Sequence, residues 1–354
     1  MLENRLRRVR ERMAMNGLSQ IIVTQPQAIY YLTGEWVEPH DRLDALVVTQ
    51  AACRMLCYVL AVINPEGCDV TVYSDTGRTA ATLSDLLEDA DTGVDGYLAS
   101  RFLLPLMAAR PELRFTVSSC VEEARMIKEP DEVMRLRRAS EITDLVFEDA
   151  FARLREGMTE LELGAVFSEC FERRGVGRFQ GDPMVCFGKG SAEPHHAPGD
   201  ARLCPGDAVS VDTGKRIDGY YSDMTRTVFF RSCSALQREV YEVVLEANRA
   251  AIAAVRPGVP IAQIDRAARE VIERAGYGDR YPHRTSHGIG IDYHEEPFDV
   301  GGRNLPVAEN MCFSIEPGIY LPGAFGVRIE DLVCVTKEGC ELFNHHPKEL
   351  RIVG

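Results

Sequence analysis

Four carboxylates and a set of histidines carry the chemistry open to this sequence. Asp212 and Asp223 sit in VSVDTGKRIDGYYSDMTRT, Glu316 in FSIEPGIY and Glu330 in GVRIED. Asp212 and Glu316 each close an apolar run and precede Thr-Gly or Pro-Gly. That position puts a carboxylate at a strand end inside a sheet domain, away from any wet helix face. Four buried carboxylates without counter-charge are prohibitively costly, so each must be paired, protonated or bound to metal. Two divalent cations balance the four charges, and one imidazole completes the donor set. Oxygen-rich sites with a histidine suit Mn²⁺, Co²⁺ or Zn²⁺ better than a thiolate-seeking metal. Two such ions about 3.5–4 Å apart can hold a bridging hydroxide and polarise a carbonyl oxygen together. This is equipment for amide hydrolysis.

The elements that must position these groups form an α/β chain of two domains, 1–125 and 126–354. In the first, Met1 to Gly17 reads as an amphipathic helix. Short β-rich runs follow at 19–24, 45–50, 55–62, 69–74 and 114–118, with helical stretches such as Ala80 to Leu87 between them. Pro130, with Asp131 and Glu132 behind it, opens a long helix. The second domain contains an internal duplication. REGMTELELGAVFSECFERRGVG (155–177) overlays RPGVPIAQIDRAAREVIERAGYG (256–278) at an offset of 101. Ser210–Gly214 echoes Ser314–Gly318 at 104. Two similar α/β halves follow, with Asp212 and Glu316 on equivalent strands. Thr159 and Glu162 form a capping box for the first repeated helix.

Composition narrows the partners. Forty Lys and Arg stand against 54 Asp and Glu, a formal charge of −14, which argues against nucleic acid or an anionic membrane. Eleven cysteines, odd in number and without a C-x-x-C pair, predict reduced, mostly buried thiols and no disulfide framework. The N-terminal stretch lacks the apolar core of a signal peptide, and Met55 to Asn64 falls short of a bilayer span. The expectation is a cytoplasmic enzyme.

Several stretches together carry a family resemblance. PHHAPGDARLCPGDAVSVDTGKRIDGYYSDMTRT (194–227), HRTSHGIGIDYHEEP (283–297), SIEPGIY (314–320) and GVRIED (326–331) resemble the Xaa-Pro dipeptidases and aminopeptidases of the pita-bread metallopeptidase fold. YYLTGEWVEPHDRLDALVV (30–48) resembles the bacterial Xaa-Pro dipeptidases (prolidases) in particular. The resemblance implies a creatinase-like N-terminal domain before a pita-bread domain with pseudo-two-fold symmetry. It implies five ligands for two divalent ions, most readily Mn²⁺ with Co²⁺, Zn²⁺ or Fe²⁺ as alternatives: Asp212, Asp223, His287, Glu316 and Glu330. Glu316 would also handle the proton of the attacking water. His195 and His294 would hydrogen-bond the substrate, and Arg328 would support the ligand shell. His283 matches a pocket residue, and Tyr320 could line the same pocket. His40 and Arg42 match a loop that in related dipeptidases reaches the partner subunit's site and limits substrate length, so a homodimer is expected.

The implied activity is hydrolysis of Xaa-Pro dipeptides. The rivals are an Xaa-Pro aminopeptidase acting on longer peptides, and a small-metabolite hydrolase or lyase on the same scaffold. A creatinase-type reaction without metal, or a non-catalytic binding protein, fits poorly with an intact ligand set. Other residues receive plainer readings. Thr225 and Arg226 read as strand residues, Tyr293 as packing, and His345-His346 as a surface loop. Cys186 reads as a buried thiol, and Gly188–Ser191 lacks phosphate-loop spacing.

Overall fold

The computed structural model describes residues 2–60, 63–76, 79–177, 181–297 and 305–354. The chain divides into two compact units, Met1–Arg125 and Met126–Gly354. In the first, α1 (Leu2–Met15) buries Arg5, Val9 and Met13, a stripe at four-residue spacing. It is followed by β1 (Gln20–Val23), α2 (Pro26–Thr33), β2 (Ala45–Thr49), β3 (Cys53–Tyr58) and β4 (Asp69–Tyr73). Then come α3 (Thr79–Ser84), β5 (Thr92–Val94), α4 (Ser100–Ala109), β6 (Phe115–Val117) and α5 (Cys120–Arg125). Among the described residues the strands form one sheet in the order β4-β3-β2-β1-β5-β6. Ile22, Val47, Leu56 and Val94 point into its core. The sequence pattern missed β5, whose three residues are too short to show a period.

The cysteine expectation needs one correction. Cys53 and Cys68 form a disulfide with Cα atoms 4.8 Å apart. Parallel pairing sets Arg54 opposite Asp69, which brings the preceding residues, Cys53 and Cys68, side by side. That proximity arises from strand register and leaves no trace in cysteine spacing.

The second unit opens with α6 (Pro130–Phe151), started by Pro130 and a Glu129–Glu132 capping box. Next come α7 (Glu160–Glu172), capped by Thr159 and Glu162 as expected, β7 (Met184–Phe187) and β8 (Ala208–Thr213). A short β9 (Arg216–Ile217) and β10 (Tyr220–Tyr221) lead to β11 (Met224–Phe230). The order then repeats with α8 (Ala235–Ala254), α9 (Ile261–Arg274), β12 (Cys312–Ile315), β13 (Gly318–Leu321), β14 (Phe325–Arg328) and β15 (Asp331–Val335). β16 (Cys340–Leu342) and β17 (Ile352–Val353) close the chain. Each half thus runs long helix, short helix, antiparallel strands, and the duplicated segments contain α7 and α9. Helices α6 and α7 pack Phe147, Phe167 and Phe171 against Val185 and Val211. Helix α9 buries Ile261, Ile264, Ala268, Val271 and Ile272, spaced three and four apart, beside Val244 of α8 and Phe313 of β12.

The His345-His346 reading also changes. His345 is exposed, but His346 is 5% exposed, its ring 5.8 and 5.9 Å from those of Phe147 and Phe151. Asp144 accepts both backbone N–H groups and so draws the segment inward.

Candidate metal centre

Strand pairing assembles the carboxylates. Strands β8 and β11 are antiparallel with Asp212 opposite Thr225. On the far side of β11 the Glu330 N–H donates to the Thr225 carbonyl at 3.1 Å. Asp223 stands just before β11, and Glu316 follows the last residue of β12. Gly214 permits the tight approach between the two aspartate-bearing arms: a Cβ there would lie 1.7 Å from the Ser222 carbonyl oxygen. His287 is tied to β12 twice, its carbonyl accepting from the Ser314 N–H and its own N–H donating to Ser314 Oγ.

The imidazole of His287 is oriented for a cation. Nδ1 lies 3.0 Å from the Gly288 carbonyl, so that nitrogen carries the proton and Nε2 keeps its lone pair. Nε2 faces Asp223 Oδ2 at 3.5 Å, Glu316 Oε1 at 3.5 Å and Glu330 Oε1 at 4.0 Å. These separations are long for hydrogen bonds and suit donors sharing one cation. Asp223, His287 and Glu330 are buried and have ligand atoms within 4.8 Å of one another. Burial, then the Asp212 charge, pushes the Asp223 carboxyl well above its ordinary range. Burial and Asp223 do the same to Glu330. Glu330 Oε1 and Asp212 Oδ1 are buried without a hydrogen-bond partner. A structure that gathers carboxylates this closely and leaves their oxygens unsatisfied fits divalent cations, which need those lone pairs. The four carboxylates are not equally enclosed, however. The side chains of Asp212 and Glu316 are 21% and 16% exposed, against 2% for Asp223 and Glu330. The sequence-based expectation of four buried carboxylates therefore holds fully for two.

Arg328 braces this arrangement with its whole guanidinium. Nη2 donates to Asp212 Oδ2, Nε to Thr225 Oγ1 at 3.0 Å, and Nη1 to the Tyr320 hydroxyl and the Pro194 carbonyl. Tyr320 in turn lies 2.8 Å from His283 Nε2, while His283 Nδ1 meets the Arg284 carbonyl. His283 is therefore protonated on Nδ1 and accepts from the tyrosine, consistent with burial holding its pKa down. Behind the strands, Arg226 donates to the Glu330 carbonyl and to Asp331, which Lys348 also holds at 2.6 Å.

A cavity of about 390 Å³ opens onto the carboxylates, lined by Pro194, His195, His283, Arg284, His287, His294, Glu316 and Arg328. Burial, helped by the nearby His287 and Arg284, lowers the His294 pKa to about 4, so the ring is neutral near pH 7. The structure thus brings His195, His283, His294, Glu316 and Arg328 to one opening, with Asp212, Asp223, Glu330 and Tyr320 close around it. His40 and Arg42 belong to the N-terminal unit. There Arg42 pairs with Asp41 and Asp75 and lies 4.8 Å over the Tyr58 ring. His196, beside His195, instead bonds the buried Glu160. Cys186 is buried, and its thiol is pushed up to about 12 by that burial.

Two residues had a larger part than the sequence indicated. Thr225 Oγ1 bonds Glu330 Oε2, and the Tyr293 hydroxyl donates to Asp223 Oδ1. Only the position of Thr225 opposite Asp212 could have flagged it, and that depends on register.

The clustered, unsatisfied carboxylates, the histidine-lined cavity and the duplicated α/β halves fit a metal-dependent hydrolase. Residues 134–337 match metallopeptidase family M24, and residues 5–127 match the creatinase/prolidase N-terminal domain. The chain is 38% identical over 351 residues to an Xaa-Pro dipeptidase of Lactobacillus helveticus, covering 94% of each. It is similar to the crystal structure of dipeptidase PepE from Mycobacterium ulcerans, with TM-score 0.91 and 34% identity over 99% of this chain and 98% of that one. It is also similar to an Xaa-Pro dipeptidase from Bacillus anthracis, with TM-score 0.92 and 27% identity over the full length of both. The chain belongs to metallopeptidase family M24, with a creatinase-type N-terminal domain followed by a pita-bread domain. No helix among the described residues is long and apolar enough to cross a membrane.

Proposed function

We propose that the chain hydrolyses Xaa-Pro dipeptides and releases proline. The observation that carries this is His287 Nε2 facing Asp223, Glu316 and Glu330 beside a cavity for a small substrate. Asp212, Asp223, His287, Glu316 and Glu330 hold two divalent cations, Mn²⁺ being our first choice. When bound, these ions supply an activated water and polarise the scissile carbonyl. Glu316, partly exposed at the cavity wall, would take a proton from the attacking water and pass it to the proline nitrogen. His294, neutral and facing the opening, donates to the carbonyl oxygen as charge develops there. His195, lining the same cavity, orients the substrate, and His283 with Tyr320 shapes the pocket. Arg328 keeps Asp212 aimed. His40 and Arg42 limit substrate length through a homodimer, and the enzyme works in the cytoplasm.

The test is a panel of Xaa-Pro dipeptides and tripeptides, including Ala-Pro and Leu-Pro, offered to Mn²⁺-loaded protein. Proline release from the dipeptides, abolished by Asp223→Asn, is expected. Inactivity across the panel would overturn the peptidase reading, and preferential cleavage of tripeptides would favour an aminopeptidase.

A further inference from the structure

The Lys128 ammonium and the Glu295 carboxylate meet at 3.0 Å with side chains 1% and 5% exposed. Neither stands among the cation-facing groups. A fully buried pair is costly to assemble and is weak evidence for stability by itself, so its place in the fold matters more than its existence.

Glu295 lies in the segment 288–297, which begins at the ligand-bearing His287 and carries Tyr293 and His294. Its carboxylate is the hub of that segment. Oε1 accepts the Asp292 N–H at 3.0 Å, and the Glu295 N–H donates to the Gly288 carbonyl at 2.8 Å. The segment also wraps closely over the carboxylate: a Cβ on Gly290 would lie 2.6 Å from Oε1. Lys128 comes from outside the segment. It sits just ahead of α6, where its N–H donates to the Asn310 carbonyl and Ile127 bridges Met311, immediately before β12. The pair therefore ties the 288–297 segment to the start of β12, the strand that Glu316 follows.

Two groups depend on where that segment lies. Tyr293 donates to Asp223 Oδ1, and the His294 ring stands 4.2 Å from that of His287. We propose that Lys128 is a positioning residue: through Glu295 it holds the segment that sets Tyr293 on Asp223 and His294 at the cavity. Lys128 falls between the two regions matched by family, 5–127 and 134–337. The proposal rests on the metallohydrolase reading, and its route is specific. Loss of the Lys128 ammonium removes the tie between Glu295 and the β12 side, the segment shifts, and Asp223 loses its tyrosine donor.

The experiment uses the full chain with Lys128→Met, Glu295→Gln, Tyr293→Phe and the Lys128→Met/Tyr293→Phe pair. Mn²⁺ affinity is measured by calorimetry and kcat by proline release, both well below the unfolding midpoint of each variant. Lys128→Met is expected to weaken Mn²⁺ binding and lower kcat about tenfold each. Glu295→Gln, which keeps the acceptor for Asp292, is the milder variant and is read in the same way if Lys128→Met does not fold. In the Tyr293→Phe background the further loss of Mn²⁺ affinity from Lys128→Met is expected to fall below twofold, because both changes act on Asp223. Affinity losses that multiply, or a lowered melting temperature with affinity and kcat unchanged, would overturn the proposal and leave the pair a scaffold contact. A wild-type protein that neither binds Mn²⁺ nor releases proline would instead sink the reading of the site itself.

Discussion

The Thr225 hydroxyl donates to Glu330 Oε2 across 2.8 Å while accepting from Arg328 Nε at 3.0 Å. One threonine thus links a cation-facing carboxylate to the arginine that holds another. All three residues are buried, so none can exchange its partner for water.

Thr225→Val keeps the shape of the side chain and removes both hydrogen bonds. A buried polar group left unmatched costs about 1–3 kcal/mol, roughly tenfold or more in an equilibrium constant. The expected outcome is at least a tenfold loss of Mn²⁺ affinity, read by calorimetry, with a similar fall in kcat/KM. Thr225→Ser, which restores the hydroxyl, should recover most of both.

Arg328→Lys tests whether geometry or charge matters at this position. The guanidinium serves Asp212, Thr225, Tyr320 and Pro194 at once. An ammonium is a point donor and cannot span the same four acceptors. Steady-state kinetics on Ala-Pro should give a kcat/KM lower by about a hundredfold, the loss of two charge-assisted bonds. A change within threefold would mean that positive charge alone suffices.

Within the candidate ligand set, Asp212 and Glu316 were legible as carboxylates closing an apolar run, whereas Asp223, His287 and Glu330 entered it through the family resemblance of their stretches. The halves were legible because duplication repeats in the sequence what it repeats in space. What remained hidden was set by pairing between distant segments. Thr225 gains its role from lying opposite Asp212, Tyr293 from a fold that returns it to Asp223, and Lys128 from a contact 167 residues away. The Cys53–Cys68 bond and the burial of His346 arise likewise, from strand register and from Asp144 drawing in a distant turn. Period and composition describe neighbours along the chain and carry no information on such partners.

His346 makes folding depend on pH independently of any cation. Burial, with Arg226 and Arg351 close by, lowers its pKa to about 4, although Glu148 works in the opposite direction. In the unfolded chain the ring takes up its proton near its ordinary value of about 6.5. Between these values the unfolded state binds more protons, so stability rises with pH and is lost as pH falls from 6.5 towards 4. The contribution is at most about 3 kcal/mol. Denaturant unfolding at pH 7 and pH 5 should show a smaller difference in His346→Gln than in the wild type. Equal differences would remove His346 from the account.

Asp223→Asn separates the needs of the fold from those of the site. Asp223 and Glu330 are buried, repel each other and have raised pKa values in the metal-free protein. A carboxyl whose pKa is raised in the folded state binds its proton more tightly there than in the unfolded chain. Its favourable contribution is present at low pH and is lost as pH climbs through the raised value. The chelated wild type should therefore melt at lower temperature at pH 8 than at pH 6. Asparagine keeps an acceptor for Tyr293 and removes one charge, so the chelated variant should melt about 2–6 °C higher than the chelated wild type at pH 8. Mn²⁺ should then raise the melting temperature of the wild type and leave the variant unmoved, because only the wild type gains binding energy from the ion. A variant less stable than the wild type under chelation would mean that the repulsion is already relieved by protonation. The charge at position 223 would then cost the fold little, and the raised carboxyls would have to be explained by burial alone.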